Sequence, residues 1–261
     1  MNRLENIRLF MLDMDGTIYL GDRLFPCTIP FLMRLKEKGI EYLFVTNNSS
    51  KDKKDYLEKL ERLNIPANEN NLLTSGDVTI EFIKDKYPDK TVYLVGTKAL
   101  KRSFTEEGLI LVDYSKADIT VVGFDTELNY EKLNGIYQNV MDGKPYICTH
   151  PDMVCPTEYG FIPDIGATIA YIEALTQKRP DYIIGKPYEY MPDAASLRFG
   201  IKKEEIAMAG DRLYTDIEMA IRAGITSILV LSGETTQETL SESDINPDYV
   251  LNDLSEITKQ I

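Results

Sequence analysis

Leu9-Phe10-Met11-Leu12 is an unbroken apolar run that delivers Asp13-Met14-Asp15-Gly16-Thr17, two carboxylates one residue apart entering a glycine turn. A strand covered on both faces accounts for such a run, and strands of that kind belong to parallel sheets flanked by helices. The acidic pair then stands at the strand's carboxyl end, where open α/β sheets bind their ligands. One short segment thus predicts both a class of fold and the place of a site suited to phosphoryl chemistry.

Strand-like and helix-like segments alternate through the rest of the chain, as in βα units around a mainly parallel sheet. Thr28 and Pro30 open a helix with Phe31, Leu32 and Leu35 on one face, and Gly39 ends it. Residues 41–46 read as a second strand, Ser50 as the cap of a helix over 51–62, and 72–75 as a short third strand. Strands at 92–95, 119–123 and 146–149, with helices near 98–107 and 130–142, could carry a core of their own. Strands at 182–184, 205–209 and 227–231 then resume the opening sheet, with helices closed by Gly200 and Gly224. The expected organisation is an α/β core over 1–76 and 181–261, interrupted by an inserted α/β unit over 77–180, with short hinges near 76 and 181.

With 261 residues, 43% of them apolar, the chain can bury one large core or two moderate ones. Lys and Arg total 29 against 42 Asp and Glu, and the net charge of -13 argues against nucleic-acid or anionic-membrane partners. An anionic substrate must therefore be caught by local groups. The first residues show neither a leader-like segment nor a membrane span, so a cytoplasmic location is expected. Cys27, Cys148 and Cys155 are too few and too dispersed for a disulfide framework. Cys148, His150 and Cys155 lie close together but lack the fourth ligand and the spacing of a zinc site, and the two thiols read as buried near a loop.

Four segments converge on the strand ends: Asp13 with Asp15, Thr46-Asn47-Asn48-Ser49-Ser50, Gly185-Lys186-Pro187, and Gly210-Asp211 through Asp216. Carboxylates about 4 Å apart repel by roughly 4 kcal/mol at an effective dielectric of 20, and a divalent cation is the natural remedy. Hard oxygen ligands that leave room for waters and a phosphate favour Mg²⁺, with Asp13 and Asp211 as direct ligands, the Asp15 backbone carbonyl as another, and Asp216 steadying a bound water. Asp13, fixed at a strand end, can attack phosphorus and form an aspartyl phosphate. Asp15 can protonate the leaving alkoxide and then take a proton from water, provided a neighbouring carboxylate and partial burial help it hold that proton. Thr46, Asn47 and Lys186 supply donors to the phosphoryl oxygens, with the backbone N–H groups of Met14, Asp15 and Asn47.

In order and wording these residues resemble the four motifs of the haloacid dehalogenase-like hydrolase superfamily. The insertion between the second and third motifs resembles a type II (C2) cap, and the whole chain is similar to the NagD-type, p-nitrophenyl phosphatase-like branch. The resemblance implies a Rossmann-like core, a Mg²⁺-dependent phosphatase reaction, a small phosphorylated metabolite as substrate, and an aspartyl-phosphate intermediate; it permits a homodimer through the cap. Dehalogenases of this superfamily lack the second acidic residue, which is present here as Asp15. His150-Pro151-Asp152 stands where the branch more usually has Asn-Pro-Asp, and Pro163 to Ala167 departs from its glycine-alanine-glycine wording. His150, Asp152 and Asp164 are accordingly the cap positions expected to discriminate among substrates, with Tyr159 and Phe161 as candidates for the entrance. A switch that stores phosphate on Asp13 and a phosphometabolite-binding protein are the other readings of the same residues.

Overall fold

The computed structural model describes residues 3–157 and 160–261. The chain forms two compact units, one of Met1–Thr46, Leu57–Leu73 and Lys186–Ile261, the other of Asn47–Tyr56 and Thr74–Gly185.

The first unit is built on a six-stranded sheet in the order Tyr249–Leu251, Thr226–Val230, Ile206–Gly210, Leu9–Asp13, Glu41–Thr46, Leu72–Thr74. Leu9–Asp13 pairs in parallel on both sides, and the parallel ladder continues outward to Tyr249–Leu251. The opening apolar run is thus a central strand, and Leu9, Phe10, Met11 and Leu12 are fully buried, as cover on both faces requires. Its register sets Leu12 opposite Ala209 and Asp13 opposite Val45, so Asp13, Thr46 and Gly210-Asp211 emerge along one carboxyl edge. The helix Thr28–Lys38 lays Phe31 edge-on against Phe10, with ring centroids 5.5 Å apart, and closes on Gly39 in the left-handed region at φ 67°. Past Asp211 the backbone widens into a π-helical turn, Leu213–Ile217, which brings Asp216 back over Gly210; a Cβ on Gly210 would overlap the Asp216 side chain.

The second unit has its own five-stranded sheet, ordered Tyr182–Ile183, Tyr146–Cys148, Ile119–Val122, Thr91–Val95, Ile110–Leu111 and parallel throughout. Residues of Tyr130–Met141 and Ile165–Thr176, among them Ile136, Val140, Ile169 and Ile172, pack with Val95, Val122 and Cys148 into one core. Both units are therefore α/β with mainly parallel sheets.

Three local expectations need correction. Tyr182–Ile183 does not resume the opening sheet but joins the second one beside Tyr146–Cys148, locked there by reciprocal bonds between Asp181 and Tyr146. A two-residue strand has no periodicity with which to declare its sheet. Ser50 does not cap the following helix, because its N–H and hydroxyl both turn back to Asn48 Oδ1 at 2.9 and 2.7 Å. Asp52 caps it instead, accepting from Asp55 N at 2.9 Å while Asp55 returns the bond, and the helix runs Lys53–Arg62. Val154–Thr157 and Gly160–Pro163 pair antiparallel, and Phe161 on the second of these strands is exposed. Tyr159 lies outside the described residues. Cys148 is buried, whereas Cys155 is only half-buried. Among the described residues no helix is long and apolar enough to cross a membrane.

Candidate active site

At the carboxyl edge of the first unit's sheet, Lys186 is buried between two carboxylates. Its Nζ donates to Asp13 Oδ1 at 2.5 Å and to Asp216 Oδ1 at 2.6 Å. Asp216 Oδ2 accepts from Arg212 N at 3.2 Å. Asp13, Asp211 and Asp216 present oxygens within 4.8 Å of one another. Asp211 Oδ2 accepts from Glu234 N at 2.7 Å, while Asp211 Oδ1 is buried without a hydrogen-bond partner among the described residues. The structure thus brings Asp13, Lys186, Asp211 and Asp216 together.

Their electrostatics follow from three acids crowded around one ammonium. Burial pushes the Asp13 carboxyl well above its ordinary range; Lys186 opposes this, but Asp216 and Asp211 add to it. Burial likewise raises Asp211, to about 6, with Asp216 reinforcing the shift. Burial opposes the charge on Lys186, yet Asp13 and Asp216 outweigh that and raise it. Lys186 therefore holds its proton firmly, while Asp13 and Asp211 are both pushed above the ordinary carboxylate range. Arg212 is raised in the same way: burial opposes its charge, and Asp13 and Glu234 outweigh the burial. Its Nε lies 2.9 Å from Glu234 Oε2, an ion-pair distance without the angle of a hydrogen bond. The orphaned Asp211 oxygen and the surplus of acids in this pocket fit a divalent cation with hard oxygen ligands, which would offset their charge.

Asp15 has different surroundings from Asp13. Its side chain is 47% exposed, not partly buried as expected, with Lys59 Nζ 3.8 Å away and Gly21 N donating at 3.4 Å. The turn Met14–Tyr19 explains this, since Gly16 N bonds Tyr19 O and swings the chain out of the sheet immediately after Asp13. Lys59 itself stacks over the Tyr19 ring, 4.0 Å from the centroid. Thr46 is half-buried at the end of the neighbouring strand, one residue beyond Val45, the partner of Asp13.

Asn47, His150, Asp152 and Asp164 belong to the second unit. Asn47 Nδ2 donates to both Asp152 oxygens, at 3.1 and 3.2 Å, and Asn47 O accepts from Ser75 Oγ. His150 is wholly buried: Nε2 is 3.1 Å from Asp164 Oδ1 and Nδ1 is 3.0 Å from Thr149 Oγ1. Thr149 Oγ1 is 2.9 Å from Ser49 Oγ, which accepts from Phe124 N at 2.9 Å. Asp164 Oδ1 also accepts from Ile165 N at 2.6 Å, capping the helix Ile165–Thr176. These contacts join Asp164, His150, Thr149 and Ser49 to Phe124 N in one buried chain of hydrogen bonds. His150 and Asp164 are thereby committed to each other, and of the three cap candidates Asp152 is the one left half-buried. Residues that the sequence reading missed are Gly233 and Glu234, packed on Asp211; their only signal is a glycine just past a predicted strand.

Two family models match the chain, one for haloacid dehalogenase-like hydrolases over residues 10–110 and one for HAD-hydrolase-like proteins over 183–257. An acid sugar phosphatase of Staphylococcus saprophyticus is 34% identical over 99% of each chain, and one of Staphylococcus haemolyticus is 36% identical over 97% of this chain and 95% of its own. Among solved structures, a 4-nitrophenylphosphatase from Thermotoga maritima superposes with a TM-score of 0.96 at 44% identity over 99% of each chain. A p-nitrophenyl phosphatase from Archaeoglobus fulgidus does so with a TM-score of 0.93 at 30% identity over 98% of this chain and 99% of the other. The chain belongs to the haloacid dehalogenase-like hydrolases. Within them it falls among the phosphatases of the NagD and p-nitrophenyl phosphatase kind.

Proposed function

We propose that the protein is a Mg²⁺-dependent phosphatase of small phosphomonoesters that works through an aspartyl phosphate on Asp13. The observation that carries this reading is the group of Asp13, Asp211 and Asp216 around the buried Lys186, with one Asp211 oxygen lacking a hydrogen-bond partner among the described residues. Asp13, Asp211 and the Asp15 backbone carbonyl would hold the cation, with Asp216 behind them. Bound there, Mg²⁺ would neutralise charge on the acids and on the phosphate.

Asp13 then attacks phosphorus through a carboxylate oxygen, and the ester oxygen departs with its electron pair. Asp15 gives that oxygen a proton; its exposed position suits a group that must exchange protons with solvent and leaving group in turn. In the second half Asp15 removes a proton from water, which attacks the phosphoryl group and frees Asp13 and inorganic phosphate. Lys186, an ammonium throughout, and Thr46 hold the phosphoryl oxygens as charge spreads over them.

The first unit, in this reading, handles the phosphoryl group common to all substrates, and discrimination among leaving groups is assigned to the second, where the half-buried Asp152 is the foremost candidate. The staphylococcal relatives named for sugar phosphates make phosphorylated sugars the first class to try. A hydrolysis screen across sugar phosphates, nucleotides, phosphoglycolate and pyridoxal phosphate, each with and without chelator, tests the reading. Chelator-sensitive release of phosphate from a subset supports it; release that ignores chelator contradicts it.

A further inference from the structure

The Asp211 carboxylate is held in a slot whose walls are backbone. On one side stands Gly16, at φ 92°, and on the other Gly233; a Cβ built on either would overlap Asp211 Oδ2. Glu234 N donates to that same oxygen at 2.7 Å, and Thr235 N donates to the Asp211 backbone carbonyl at 3.2 Å. Ser232 ties the walls together, its Oγ donating to Gly16 O at 2.7 Å. All of Asp211 Oδ2 is thus used in fixing the side chain, and Oδ1 is left over, buried and without a partner among the described residues.

The two glycines are needed for different reasons. Gly16 sits where its backbone conformation already favours glycine. Gly233 has no such excuse, since its φ lies outside the left-handed region. What Gly233 supplies is space: its missing side chain lets the peptide carrying the Glu234 N–H come close enough to grip Asp211.

We infer that Gly233 and Ser232 are positioning residues that, with Gly16, hold Asp211 in a single orientation and present its Oδ1 to a divalent cation. The inference rests on the phosphatase reading above for the role of Asp211 as a metal ligand. It assigns to the segment 232–235 a task in metal binding that its distance from Asp13 in the sequence conceals. Partners that orient metal ligands commonly contribute ten- to a hundred-fold in affinity when lost.

Calorimetric titration of the chelator-treated protein with MgCl₂ alone reads this without any turnover. Gly233→Ala, whose backbone an alanine can adopt, should keep its circular dichroism and bind Mg²⁺ roughly ten- to a hundred-fold more weakly, because the new methyl turns Asp211 out of its slot. Ser232→Ala, which adds no atom, should weaken binding in the same direction by a smaller factor, and it carries the test if Gly233→Ala does not fold. Unchanged Mg²⁺ affinity in a folded Gly233→Ala, or in Ser232→Ala where that variant stands in, would overturn the inference and leave the phosphatase reading intact. Absence of Mg²⁺ binding by the unaltered protein would overturn both.

Discussion

Asp13 and Asp15 differ by one position in sequence and by almost everything in environment. Asp13 is buried against Lys186, where its carboxylate is held in one place. Asp15 stands on the outward turn beside Lys59. That contrast suits a division of labour between a fixed nucleophile and a mobile proton carrier. Replacing Asp15 with Asn should therefore cost most where the leaving group most needs a proton. Turnover of a sugar phosphate should fall by about 10²–10⁴-fold, and that of p-nitrophenyl phosphate by much less, measured as kcat on the two substrates. Equal losses on both would remove Asp15 as the acid. The residue types at this site were legible because few other arrangements need acids at two strand ends and a lysine between them. The exposure of Asp15 was not, since it depends on the turn closed by Gly16 and Tyr19 and on a lysine from a distant helix.

The helix Ile165–Thr176 shows how one side chain can serve an element and a loop together. Asp164 caps the helix and also fixes His150, whose other ring nitrogen extends the buried chain through Thr149 and Ser49 to Phe124 N. Asp164→Ala should lose a cap worth about 1 kcal/mol and take away the carboxylate partner of a buried imidazole, for a total of roughly 2–4 kcal/mol in urea denaturation. Asp164→Asn retains an acceptor oxygen and should lose less than half as much. Equal losses would show that the alanine effect does not come from these bonds. Periodicity and punctuation revealed the long elements well: Thr28–Lys38 ends on its glycine, and Glu41–Thr46 has the expected bounds. They failed where a partner, not a pattern, decides. Tyr182–Ile183 takes its sheet from pairing with Tyr146–Cys148, and Ser50 loses its capping role because Asn48 Oδ1 competes for it. The pairing of His150 with Asp164 was illegible for the same reason, since nothing in the sequence near either residue announces the other as its partner.

For the molecule as a whole, an acidic cluster built to hold a cation should be a source of instability without one. Burial raises Asp211 from 3.8 in its ordinary state to about 6 in the fold, and Asp13 moves in the same direction. A carboxyl raised on folding adds stability that is fully present below its unfolded value and is lost as pH rises through its folded value. Chelator-treated protein should therefore lose stability from about pH 4 to above about pH 6, by an amount on the order of 2–3 kcal/mol from Asp211. Melting temperatures across that range should fall more steeply for the unaltered protein than for Asp211→Asn, and added Mg²⁺ should recover the loss; parallel profiles would contradict the assignment. Net charge and parallel-sheet architecture set this frame from sequence, whereas the slot around Asp211 needed the folded backbone, because glycines distant in sequence form its two walls. The covalent step remains the sharpest point of the whole reading. Acid-quenched protein turning over a ³²P-labelled phosphomonoester in Mg²⁺ should carry an alkali-labile phosphate on the peptide containing Asp13, absent from Asp13→Asn. Steady release of phosphate with no label on that peptide, or undiminished turnover by folded Asp13→Asn, would contradict it.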